Sequence, residues 1–143
     1  MIGEGCNVST DYKQLAVWQQ AMKLVREIYQ CTRSFPRDEV FGLSSQMRRA
    51  AVSVPSNIAE GKGRHSQKEL VQFLYKSRGS LLELETQICI ARDLGYVDDS
   101  VGQSLATRTL EVIRILNGLI NRFQQEIQEQ SSTPRPLPVT RDL

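Results

Sequence analysis

Few residues in this chain can do chemistry. His65 is the one histidine, and it stands in "GKGRHSQKE", among glycines and cations. A Ser-His-acid triad would have to be built around it. A di-iron bundle needs Glu-x-x-His pairs on facing helices, and no such pair occurs. A zinc site would need Cys31, Cys89 and His65 to converge from three different segments. With Cys6, the cysteines number three, without metal-ligand spacing. They read as free thiols of a reducing compartment. Glu60, Glu83 and Glu85 remain as acid-base candidates, and ordinary helix-surface charge accounts for them.

The run "GKG" invites a phosphate-loop reading. That pattern closes on Gly-Lys-Ser/Thr after a strand. Here Gly61-Lys62-Gly63 leads into Arg64 from a helical segment. The dinucleotide pattern fails as well, because Ser66 stands where its last glycine belongs. The expectation is a protein that is not an enzyme and holds no metal or cofactor.

Charge is more informative. The net is only +2, but it is unevenly distributed. Residues 1–40 balance, residues 41–80 carry +5, residues 81–100 carry −4 and residues 101–143 carry +1. Surface cations on helices usually have a carboxylate three or four residues away. Arg48, Arg49, Lys62, Lys68, Lys76 and Arg78 have none, and Arg64 has only Glu60. These seven are the candidate site, because uncompensated positive charge is what a phosphate backbone requires. A solvated face, or pairing with the acidic 83–99 segment across a subunit contact, explains them too. No base-reading element is apparent, so any binding should be to backbone and steeply salt-dependent.

These residues must be carried by helices. Four segments show helical periodicity, near 13–34, 39–61, 70–91 and 98–128, and none reads as a strand. The third is the clearest: Leu70, Leu74, Ser77, Leu81, Leu84, Ile88 and Ala91 alternate by four and three. The first segment carries two apolar stripes, Leu15-Trp18-Met22-Val25-Tyr29 and Val17-Ala21-Leu24-Ile28. The fourth also carries two, Val101-Leu105-Val112-Ile115-Leu119 and Ile113-Leu116-Ile120-Phe123-Ile127. A wide core face or a subunit interface would each use the extra stripe. The expected fold is all-α: an antiparallel up-and-down four-helix bundle over 12–128, with a flexible 1–11 and a proline-rich disordered 129–143.

At the turns, Asp38 and Glu39 suit the first turn of helix two, and Pro55 should kink that helix. Gly61 and Gly63 suit positive φ at its end, and Gly95 should end helix three. Ser66 and Glu69 have capping-box spacing, and Asp99 or Ser100 should cap helix four. The N-terminus lacks the pattern of a signal peptide, and no apolar run reaches about 18 residues. A cytoplasmic location is expected.

The blocks "LAVWQQAMKLVREIY", "FPRDEVFGLSSQMRRAAVSVPSNIAEGKGR" and "FLYKSRGSLLELETQICIARDLGY" follow in that order over about residues 12–123. In them the chain resembles the family of proteins encoded in 23S rRNA intervening sequences, a group related to accessory variability proteins of diversity-generating retroelements. The resemblance implies a homopentameric barrel of four-helix subunits and nucleic-acid binding through basic surfaces. In the retroelement branch it also implies partnership with a reverse transcriptase. It supplies no catalytic residues. The family's shared motif falls on Arg48, Arg49, Asn57, Glu60, Gly61 and Arg64, in roles that packing would serve as well as binding. The leading expectation is an oligomeric protein binding RNA or DNA, and the alternative is a protein-interaction scaffold without nucleic-acid affinity.

Overall fold

The computed structural model of the chain describes residues 12–132. The expected flexible 1–11 and the end of the proline-rich tail, 133–143, lie outside the described residues. Four helices form the described part: α1 (Ala16–Thr32), α2 (Leu43–Lys62), α3 (Gln67–Asp93) and α4 (Asp99–Ser132). No strand occurs among the described residues. Each helix packs on its two neighbours in the cycle α1–α2–α3–α4, and the backbones of the diagonal pairs stay more than 8 Å apart, Cα to Cα. With such short links, consecutive helices run antiparallel, as the periodicity predicted.

The core is built on α3. All seven residues of its predicted seam are buried, and Val71 and Gln87 widen it. On α1 only one of the two stripes is core: Val17, Ala21, Leu24 and Ile28 are buried. Trp18 and Val25 are half-buried beside it, and Tyr29 is exposed. On α4 the core draws on both stripes: Leu105 and Val112 of the first and Ile113, Leu116 and Ile120 of the second are buried, with Thr109 between them. Val101 and Ile115 of the first stripe face out. The core face of a helix is wider than one stripe, so each two-stripe helix turns only the outermost members of its stripes to the surface.

The helix ends correct several expectations. Glu39 does not begin α2; it lies in a short 3₁₀ turn over Arg37–Glu39. From there its Oε2 accepts from the Leu43 amide at 2.7 Å, capping α2 from outside. The α4 cap is Asp98, whose Oδ1 accepts from the Val101 amide at 2.7 Å, rather than Asp99 or Ser100. Helix α4 also runs past its expected end to Ser132. Ser66 does cap α3, accepting from the Glu69 amide. At the other end of α3, Gly95 has φ +75°. The Tyr96 amide reaches Ala91 O and the Gly95 amide reaches Arg92 O, a Schellman closure.

Pro55 does not interrupt α2, which is helical throughout Leu43–Lys62. The proline is buried. Side chains serve the carbonyls around it: Ser53 Oγ donates to Ala50 O, Ser56 Oγ to Val52 O, and Asn57 Nδ2 to Ser53 O. Ser77 Oγ reaches across from α3 to Val54 O at 2.9 Å. These donors serve the carbonyls on either side of Ala51 O, the carbonyl whose i−4 donor the proline lacks. Gly61 is also reassigned. It lies inside α2, and an added Cβ would stand 2.9 Å from Phe73 Cβ and 3.0 Å from Leu70 Cδ1. It is required for the close approach of α2 to α3, not for positive φ. Gly63 too is right-handed, with φ −81°, because its amide tightens the last turn onto Ala59 O and Glu60 O.

Candidate nucleic-acid interface

The seven predicted cations do not form one surface. Arg48 and Arg49 lie in the second turn of α2, at the end of the bundle where α1 finishes. Lys62 is about 21 Å further along the same helix, at 1.5 Å per residue. The sequence segment is therefore divided between two ends of the molecule.

At the first end, a groove of about 720 Å³ opens between α1 and α2. Its walls carry Arg33, Arg37, Arg48 and Arg49, with Tyr29 and Val52, and no carboxylate. Arg48 is a strut between the helices. Its Nε donates to Thr32 Oγ1 at 2.8 Å, and its guanidinium lies 4.6 Å from the Tyr29 ring centre. Thr32 Oγ1 donates in turn to Ile28 O at 2.7 Å. Arg49 is exposed and has no ion pair among the described residues. Reading the sequence missed Arg33 and Arg37. They belong to a segment whose charge sums to zero, and only the α1–α2 turn brings them beside Arg48.

At the second end, the turn from α2 to α3 gathers Lys62, Arg64, Lys68 and Lys76. Phe73 organises two of them: the Lys76 ammonium lies 4.3 Å, and the Arg64 guanidinium 4.8 Å, from its ring centre. Arg64 also pairs with Glu60 at 2.9 Å, the one ion pair the spacing predicted in this segment. Lys62, Lys68 and Lys76 have no carboxylate partner among the described residues. His65 is exposed beside them.

Arg78 belongs to neither cluster. Its Nη1 donates to Asn117 Oδ1 of α4 at 3.1 Å, and it stacks on Tyr75. Tyr75 accepts from Gln124 Nε2 at 2.7 Å. Arg78 thus joins α3 to α4.

Of the carboxylates singled out as acid-base candidates, Glu60 pairs with Arg64. Glu83 accepts from Gln87 of its own helix. Cys31 is half-buried, and burial raises its thiol above the ordinary value. Among the described residues no three His, Cys, Asp or Glu side chains gather as a metal site. No described helix is long and apolar enough to cross a membrane.

The described residues thus define an all-helical four-helix bundle that carries basic side chains at both of its ends. The family of 23S rRNA-intervening sequence proteins matches residues 13–118. The chain belongs to that family. Among solved structures, a protein of unknown function from the S23 ribosomal protein family of Bacteroides thetaiotaomicron VPI-5482, determined at 1.70 Å, has a TM-score of 0.67. That match, at 18% identity, covers 73% of this chain and 98% of the other, and it speaks for the fold alone. No curated protein matches the chain.

Proposed function

We propose that this protein is a non-enzymatic, self-associating nucleic-acid binder that grips the phosphate backbone through Lys62, Arg64, Lys68 and Lys76. One observation carries the reading: three of these cations have no carboxylate partner, and Phe73 draws Arg64 and Lys76 together. Like charges held close need a counter-anion, and a phosphate chain supplies several at once. The lysine-rich corner, rather than the arginine groove, is assigned this role because it is nearly free of exposed apolar side chains. Tyr75 is the one large exception. In the homopentameric barrel that the resemblance implies, the corner would be repeated, and multivalency would strengthen a weak single contact. A reverse transcriptase would be the protein partner if the chain serves a retroelement. Co-purification with that enzyme after nuclease treatment would support this extension.

The test is a mobility-shift titration of duplex and structured RNA over a range of salt, with Lys62→Ala/Lys68→Ala/Lys76→Ala against the parent. Removing three phosphate contacts from a duplex site should flatten the slope of log K on log salt by about 2.7 per subunit. Unchanged affinity and slope would refute the site. The scaffold reading is favoured by exposed apolar side chains elsewhere, such as Phe41 at 96% exposure. It would prevail if the purified protein carried no nucleic acid and shifted none.

A further inference from the structure

The groove between α1 and α2 differs from the lysine corner in the kind of anion it can hold. Arg33, Arg37, Arg48 and Arg49 line it, and no carboxylate does. Arg33, Arg37 and Arg49 are exposed, without an ion pair or a side-chain hydrogen bond among the described residues. Antiparallel packing brings the acidic C-terminal half of α3 level with them, but α3 supplies none of the groove's lining. Glu39, close to Arg37 in the chain, is turned instead to the Leu43 amide and the Tyr96 hydroxyl. Arg48 is fixed in advance. Thr32 Oγ1 holds its Nε, Tyr29 O accepts from its Nη2 at 3.4 Å, and its Nη1 has no partner among the described residues. The planar fork of arginine suits phosphate oxygens.

Ser44 lines the same groove and is only 7% exposed. Its hydroxyl forms no hydrogen bond among the described residues, yet the oxygen is not sealed from solvent, so it opens on the groove. A buried hydroxyl without a partner is costly unless something from outside bonds it. The amides of Ser44 and Ser45 have no acceptor among the described residues either, because Glu39 caps Leu43 alone. They form the positive end of α2. Further along, the groove turns apolar. Val52 lies about 12 Å beyond Ser44 on the helix, at 1.5 Å per residue. It lines both the arginine-walled part and a second part of about 310 Å³, bounded by Trp18, Met22 and Pro55. The groove therefore fits an occupant that is strongly anionic at one end and apolar at the other.

We infer that this groove binds a free nucleoside 5′-polyphosphate. The phosphates meet Arg33, Arg37, Arg49, Nη1 of Arg48 and the Ser44 hydroxyl. The base lies against Val52 and toward Trp18. Four guanidinium groups without a carboxylate call for several negative charges held close together, which a di- or triphosphate carries and a lone carboxylate does not. The apolar walls count against a nucleic-acid backbone, but they are what a flat base requires. A volume of about 720 Å³ is within the range of pockets that hold ligands of this size. The site is separate from the lysine corner and does not rest on it.

Isothermal titration calorimetry on the full chain, without divalent cations, tests this. The ligands are adenosine triphosphate, adenosine monophosphate and inorganic tripolyphosphate. The triphosphate should bind saturably below about 1 mM. The monophosphate, which has fewer charges for the arginines, and tripolyphosphate, which has no base for Val52, should each bind at least tenfold more weakly. Arg33→Ala/Arg49→Ala changes two exposed side chains and should weaken the triphosphate about tenfold or more, with unchanged helical circular dichroism. Ser44→Ala should weaken it about threefold to tenfold. Lys62→Ala/Lys68→Ala/Lys76→Ala should bind it as the parent does. An oligonucleotide with a 5′-hydroxyl should not displace it. Absence of saturable binding, tripolyphosphate binding as tightly as the nucleotide, or full affinity in the arginine variant would each overturn the inference. So would loss of nucleotide binding in the lysine variant, or displacement by the oligonucleotide.

Discussion

Replacing Gly61 by alanine puts one methyl group between α2 and α3, and two opposing terms decide the sign. Alanine in a helix interior is favoured over glycine by about 1 kcal/mol. Against this, the new Cβ would stand 2.9 Å from Phe73 Cβ and 3.3 Å from Leu70 O. Neither atom is the free end of a flexible side chain, so relief requires the helices to separate by roughly half an ångström or more. Overpacking of this kind costs about 1–3 kcal/mol. The separation would also stretch the Ser77–Val54 hydrogen bond, now 2.9 Å, which helps support the proline turn. The net expectation is a loss of about 1 kcal/mol. Gly118→Ala is the matched control: it lies inside α4, is exposed, and its Cβ would meet nothing within 4 Å. It should gain about 0.5–1 kcal/mol. Urea unfolding followed by circular dichroism, at one fixed protein concentration, measures both. If Gly61→Ala stabilised the protein as much as Gly118→Ala, the close-approach argument would be wrong.

Two further outcomes are expected. Gly95→Ala should destabilise by about 1 kcal/mol, because an L side chain would be held at φ +75°; a thermal midpoint lowered by about 3 °C would bear this out, and an unchanged one would not. Burial raises the Cys31 thiol above its ordinary 9.0, so the folded state holds that proton more tightly than the unfolded chain. The resulting stability is fully present below pH 9.0 and is lost as pH rises through the folded value. Cys31→Ala should therefore lose less stability than the parent in urea titrations above that pH, and parallel losses would remove the effect.

Much of the fold was legible because local rules and packing agreed. The Leu70–Ala91 seam follows from period alone, and it is the core. Ser66, with its oxygen one turn from Glu69, and Gly95, with no Cβ to clash, needed no tertiary information. The misread ends were those where side chains compete. Asp98, Asp99 and Ser100 can all cap a helix, and the path of the α3–α4 turn chose Asp98. Glu39 looked like a first-turn residue and proved to be an outside cap.

The candidate site was less legible. A pairing test along one helix sees neighbours three and four residues away, and it found that Lys62, Lys68 and Lys76 lack local partners. It had no way to see Arg78 reaching Asn117 on another helix, or Arg48 resting on Tyr29 and Thr32. The sequence by itself determined the helices, their core seam and the presence of unbalanced charge, since these depend on spacing within one segment. The bundle alone decided that the basic run divides between two ends, that Arg33 and Arg37 join Arg48, and that the acidic half of α3 lies level with them. Those relations depend on which helices are adjacent and how they run, and adjacency is set by packing across the core.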